Sequence, residues 1–317
     1  MLNRRFLRVK ALQEIYAYHQ SEGSSLAPAE RHLLEEVDDL YKLFIYQLAF
    51  WVEVKQFAER RIEENRNKHF PTEEDLNPNM KFVNNRILNV LEENKSLLML
   101  EDKYKINLAD AREDFIRSFY NRMIEYPEYQ EYMNNGKDSF NDDKLFLATV
   151  IDTYMADDSS LYDFYSDRDL SFNSDFQVAI FLLWKFVNEL TASFGVDSPI
   201  SPVFKADAED KEFVVKLFEK TILHADEYRE LVKANISNWD YDRLALMDKI
   251  LIFMALTEFV EFHFIPVKVT INEYIEISKF YSTPDSRRFV NGMLDKLASV
   301  LKEKGRIVKT GIGLIDK

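Results

Sequence analysis

Three features of the amino-acid sequence predict an all-α fold. Seven glycines and eight prolines in 317 residues leave few points at which a helix must stop. Leu, Glu, Lys, Ala and Phe recur throughout, a set that favours long helices over many short strands. Apolar residues return at three- and four-residue spacing through most of the chain, with recognisable start and stop signals between the runs.

The elements follow in order. A first helix is expected over 3–20, ending at Ser21-Glu22-Gly23-Ser24-Ser25. Leu33, Leu34, Val37, Leu40, Tyr41 and Phe44 keep helical spacing in a long second segment, 28–67. Phe70-Pro71-Thr72 and Asn77-Pro78-Asn79 mark loops. Helical patterns then cover 81–100 and 109–133, with a kink or break at Tyr126-Pro127 and an end at Asn134-Asn135-Gly136. Shorter helices are expected over 142–155 and 176–194, separated by an acidic, Ser- and Tyr-rich connection. A linker holding Pro199 and Pro202 follows at 195–207.

From 207 onward the punctuation is cleaner. One helix should span 208–233. Ser237-Asn238-Trp239-Asp240 reads as the start of a strongly apolar helix through Phe264, which Pro266 stops. Thr270 with Glu273 suggests a capping box for the next helix, and Thr283 before Pro284 starts the last. Four helices with short connections imply an antiparallel bundle. Inside the last helix, Asn291-Gly292 interrupts a face made by Phe289, Met293, Leu297 and Val300. Glycine there costs about 1 kcal/mol against alanine, which suggests close approach by another helix or by a ligand.

Composition narrows the function. The absence of cysteine removes disulfides, thiolate catalysis and cysteine-based zinc sites, and fits a reducing cytoplasm. No apolar run approaches the roughly 20 residues of a membrane span, so the protein is expected to be cytoplasmic with no membrane partner. The five histidines are scattered, and neither a P-loop, GxGxxG nor GxSxG occurs; no enzymatic activity, cofactor or metal is expected. A net charge of −14 argues against a protein that coats nucleic acid generally. The basic residues are nevertheless grouped at the ends. Arg4, Arg5, Arg8 and Lys10 precede the first acid of their helix, Glu14, and Lys302, Lys304, Arg306 and Lys309 face Glu303 alone.

Three segments carry a family resemblance. Asn238-Trp239-Asp240-Tyr241-Asp242-Arg243 with Asp248, Ile250, Leu251, Ala255 and Thr257-Glu258 is the first; Ile265 to Glu273, an IPxxVxINE run, is the second; Phe289 to Lys296, FVNGxLDK, is the third. In this order and spacing they resemble the NusB family of transcription antitermination factors. Arg4, Arg5 and Arg8 leading into Ala11-Leu12-Gln13-Glu14-Ile15-Tyr16 resemble its opening helix. Phe253 stands where the family usually has Arg, and Tyr274 where it has Ala.

The resemblance implies a pair of small helical bundles from 1–20 and 207–302. Residues 21–206 then form an additional α-helical insertion of unknown role, and 303–317 a basic flexible tail. It further implies single-stranded boxA-type RNA, the ribosomal small-subunit protein NusE and the RNA polymerase antitermination complex as partners during rRNA transcription. The RNA residues would be Arg4, Arg5, Arg8 and Lys10 for phosphates, with Tyr16, Asp285, Arg288, Phe289 and Asn291 near the bases. Tyr16 suits core packing better than stacking, Phe289 suits either, Asn291 equally suits a backbone partner, and Asp285 and Arg288 a capped, solvated helix start. Glu258, Phe259 and Phe262 would receive the protein partner, although Glu258 could instead pair within the chain. The competing reading is a protein-interaction module that keeps the fold and has lost RNA binding.

Overall fold

The computed structural model describes residues 3–21, 25–204, 207–236 and 240–314. Helix α1 (Arg4–Gln20) starts where the Asn3 side chain accepts from the amides of Arg5 and Phe6. Helix α2 (Leu26–Arg66) is continuous for 41 residues. A single turn, α3 (Glu73–Leu76), is closed by a Thr72–Asp75 capping box.

The pattern expected as one helix over 81–100 divides into α4 (Arg86–Glu93) and α5 (Lys95–Tyr104). Asn94 causes the break: its side-chain oxygen caps Leu97, and its amide donates to the carbonyls of Gly195 and Ser198. Residues 109–133 likewise resolve into a 3-10 turn, a π turn (Arg112–Ile116), α6 (Arg117–Met123) and α7 (Pro127–Asn134), with Pro127 opening the last. Helix α8 (Phe140–Val150) runs into a second π turn, Ile151–Met155. The connection that follows carries helix α9 (Ser159–Ser166), capped by Asp158, and a 3-10 turn capped by Asp169. Local side-chain capping made its polarity look like loop. Helix α10 (Phe176–Glu189) ends this part of the chain.

Helices α11 (Asp207–Leu223) and α12 (Ala225–Asn235) replace the single helix expected over 208–233, with the break at His224. The expected start at 237–240 falls largely outside the described residues. A 3-10 turn occupies Tyr241–Arg243, and α13 (Leu246–Glu261) begins later than the sequence suggests. Helix α14 (Val267–Tyr281) starts directly after Pro266, so Thr270 and Glu273 lie inside it and form no capping box. Thr283 does cap α15 (Pro284–Glu303) by accepting from the Ser286 amide. No strand occurs among the described residues.

The chain divides into two compact units, Met1–Val37 with Pro202–Lys317 and Asp38–Ser201. The divisions fall at 37/38 and 201/202, against 20/21 and 206/207 expected from the resemblance. The first turns of α2 belong with α1 because Lys10 Nζ donates to Glu36 at 3.0 Å and His32 Nδ1 to Glu14 at 2.6 Å. In the first unit α1 packs on α11 and α13, and α13, α14 and α15 pack on one another. Helix α13 is buried from Ile250 to Phe259, the signature of a central helix. In the second unit an aromatic core joins Phe50, Trp51, Phe82, Phe119 and Phe146, with the Tyr132 ring stacked on Phe146 at 4.3 Å. Residues 38–201 hold 31 acids and 18 Lys or Arg, leaving 24 and 23 for the rest, so nearly all of the −14 belongs to the second unit.

The tail expected to be flexible is docked as far as Leu314. Arg306 pairs with Glu227, His263 Nδ1 donates to the Val308 carbonyl at 2.6 Å, and the Thr310 amide donates to the His263 carbonyl at 3.0 Å. Lys309 Nζ donates to the carbonyls of Glu258 and Phe262 at 3.0 and 2.9 Å, closing the C-terminal end of α13. Each carbonyl also accepts a backbone amide, Glu258 from Phe262 and Phe262 from Ile265, so the lysine adds a cationic second donor at the negative end of the helix.

Candidate functional site

The surface is built on α1. Arg5 donates through Nε and Nη2 to both Glu273 oxygens at 2.8 and 2.7 Å. Eight residues further along each helix, Gln13 Nε2 donates to Tyr281 Oη at 3.3 Å. Equal offsets at both contacts mean that α1 and α14 run parallel for about 12 Å. Arg4 donates to Asp210 at 3.1 Å, 3.8 Å from Glu209, and lies over the Phe213 ring. These two arginines are partly exposed, at 40% and 45% of their side chains.

Arg8 and Lys10, expected at the RNA surface, are inside. Arg8 is 3% exposed and meets Glu258, itself 0% exposed, in a two-pronged pair at 2.5 and 2.9 Å. The hydroxyls of Thr270 and Tyr274 donate to the same carboxylate at 3.1 and 3.0 Å. Burial works against the Arg8 charge, but the attraction and hydrogen bonds of Glu258 outweigh it and hold the guanidinium charged, with its pKa above the usual value. Lys10 is 2% exposed and turned to Glu36. Helical geometry accounts for Arg8, which lies within the arc of the buried Leu7, Ala11, Leu12 and Ile15. Lys10 lies beside that arc and is covered where it meets Glu36 of α2, while Arg4 and Arg5 stand in the more open first turn.

The same network corrects the expected partner face. Glu258 and Phe259 are both wholly buried and unable to touch another protein. Phe262 is half-buried, packed on Phe213 with centroids 5.1 Å apart and covered by Lys216. Glu273, expected as a cap, serves Arg5. The Arg5 hydrogen bonds lower its carboxyl below the ordinary value against partial burial, and Arg8 adds attraction.

At the far end of α1, Tyr16 is 38% exposed. The start of α15, three residues beyond Tyr281, lies toward this end. Here Arg288 and Asn291 are exposed and Phe289 is half-buried, while the side chain of Asp285 lies outside the described ones. Gly292 is exposed, and an added Cβ would meet nothing within 4 Å, so packing within the chain does not require glycine there. The close approach expected from a neighbouring helix is absent from the described structure.

Two exposed aromatics escaped the sequence reading. Phe280, 84% exposed, falls off the α14 face made by Ile271, Tyr274 and Ile277, a mismatch visible on a helical wheel. Phe264, 69% exposed, sits in the turn before Pro266. With Val269, Arg4, Arg5 and Glu273 it borders an open cleft of about 490 Å³.

Fold and surface together define an all-helical protein with a central buried ion pair and an open cleft bordered by Arg4, Arg5 and Phe264. The profile of the NusB family matches residues 196–299, which take in α11 to α14 and most of α15. The transcription antitermination protein NusB of Salinibacter ruber is 41% identical over 109 residues, 34% of this chain and 68% of that protein. Its namesake from Methylacidiphilum infernorum is 41% identical over 124 residues, 37% and 82% of the two chains, and that from Chloroherpeton thalassium 39% over 111, 35% and 53%. No solved structure matches significantly. The chain belongs to the NusB family, and its alignments with these relatives leave about two thirds of it uncovered. Among the described residues no helix is long and apolar enough to cross a membrane.

Proposed function

We propose that the protein is an RNA-binding transcription antitermination factor of rRNA transcription. It acts on boxA-type single-stranded RNA with the ribosomal protein NusE, within the RNA polymerase antitermination complex of the cytoplasm. Family membership carries this reading. The α1–α14–α15 surface supports it: Arg4, Arg5 and Arg288 offer phosphate contacts, and Tyr16 and Phe280 offer flat faces for unstacked bases. Asn291, exposed on α15, would read a base edge. Phe264 and Val269 give the protein partner an apolar foothold beside the arginines. The mechanism is scaffolding, with no covalent step.

The burial of Arg8 and Lys10 lowers the electrostatic contribution. Three phosphate contacts on single-stranded RNA give a log–log salt slope of about −2. Fluorescence anisotropy on a boxA-type oligomer, with and without NusE, against a scrambled RNA tests the reading. Selective binding that tightens with NusE is expected; equal weak binding to both RNAs in both conditions would sink it. The second reading, a protein-interaction module without RNA binding, is favoured by one observation. Arg4 and Arg5 each already face an acid of the same chain.

A further inference from the structure

The second unit carries a surface unlike the rest of the molecule. Along α10, Phe181 is 44% exposed and its ring stacks near Trp184, centroids 6.0 Å apart at 29°. These two rings, with Ile180 and Gln177, form one wall of an open groove of about 280 Å³; Asp152 and Ala156 form the other. The second wall belongs to the π turn Ile151–Met155 and its exit. Such turns break regular helix hydrogen bonding and recur at functional positions. Gln177 Nε2 donates to the Ala156 carbonyl at 2.6 Å and holds the walls together. The volume suits large apolar side chains and is below that of a site enclosing a small ligand.

Asp152 lines this groove, Asp157 directly follows its Ala156, and both belong to an acidic stretch of the chain. Between 151 and 175 the chain has seven aspartates and one arginine. Asp158 is engaged by Arg122, Asp169 by Lys42, and Asp175 is buried. Asp152, Asp157, Asp163 and Asp167 are exposed and make no ion pair among the described residues. Two further apolar side chains of this stretch, Tyr162 and Leu170, are exposed at 38% and 80%.

We propose that this groove docks a Lys- and Arg-rich amphipathic helix of a partner protein, its apolar face seated on Phe181 and Trp184 and its cations meeting Asp152 and Asp157 at the opposite wall. Charge complementarity selects this occupant. A nucleic acid meets an acidic surface and is repelled. A second copy of the chain, docking through the same patch, would bring the same aspartates together. A helix fits because its i and i+4 side chains lie on one face and can enter a groove between helical segments. The proposal is independent of the RNA reading, which concerns the other unit.

The test uses the full chain and a fluorescein-labelled, 18-residue Lys/Leu peptide patterned as an amphipathic helix. A scrambled peptide of equal composition and an RNA oligomer serve as comparisons. The amphipathic peptide should bind saturably, and about tenfold more tightly than the scrambled one. Phe181→Ser, which changes no charge, should weaken it about tenfold. Asp152→Lys with Asp157→Lys should weaken it and flatten its salt dependence. Circular dichroism and melting confirm that each variant folds, and Leu98→Ser, an exposed apolar change outside the groove's lining, should leave binding as in the parent. Equal binding of both peptides, indifference to Phe181→Ser, tighter binding of RNA at this face, or self-association abolished by Phe181→Ser would each overturn the proposal.

Discussion

At the scale of single residues, Arg8 decides how the opening helix is understood. By type and position it matches an RNA-contacting arginine; by burial it is a core residue whose partner is Glu258. Arg8→Ala would strand a carboxylate in the interior, and a loss of about 3–5 kcal/mol is expected in urea unfolding. Replacing both, Arg8→Met with Glu258→Leu, should recover much of that loss, because the buried charge is gone. If Arg8→Ala leaves the unfolding midpoint unchanged, the pair is not what holds α1 to α13. Gly292 makes the opposite case. It is exposed in a helix interior with open space at its Cβ, so Gly292→Ala should stabilise the fold by about 0.5–1 kcal/mol. A stabilised variant that binds RNA or NusE less well would show that the glycine serves a ligand.

Between elements, ion pairs link stability to pH in two directions. Glu273 sits below its ordinary 4.5 because of Arg5, so the folded state takes up its proton less readily than the unfolded chain. Its contribution is present above that value and is lost as pH falls through the lowered one. Melting temperatures from pH 5 to 3 should therefore fall less steeply for Glu273→Gln than for the parent. His32 lies above its ordinary 6.5, chiefly through its hydrogen bond to Glu14, with partial burial opposing and the Glu14 charge assisting. Its contribution is full below 6.5 and disappears as pH rises through the raised value. His32→Gln should flatten the melting profile on the alkaline side of 6.5. The docked tail is a third link. Gly313 lets the chain approach closely, since a Cβ there would lie 2.0 Å from the His263 carbonyl oxygen. Gly313→Ala should displace the tail and raise proteolysis near 306–314, detectable by mass spectrometry of limited digests.

For the whole molecule, the family signature and the excess of acid occupy different units. The matched stretch, 196–299, belongs almost entirely to the first, which is close to neutral; the second holds 31 acids to 18 bases. RNA binding should accordingly retain a salt slope near −2 when Asp152 and Asp157 are replaced by Lys, if the surface on α1 and α15 carries it. The all-α class, the Thr283 cap and the family motifs were legible in the sequence because helix periodicity and capping are local. The breaks at Asn94 and His224 were not, since apolar spacing continues across them, and at Asn94 the decisive bonds reach the carbonyls of Gly195 and Ser198. Arg4, Arg5, Arg8 and Lys10 form one basic cluster in the sequence. Only the packing of α1 against α13 and the start of α2 separates the two partly exposed arginines from the two buried cations, because burial depends on neighbours 26 to 250 residues away.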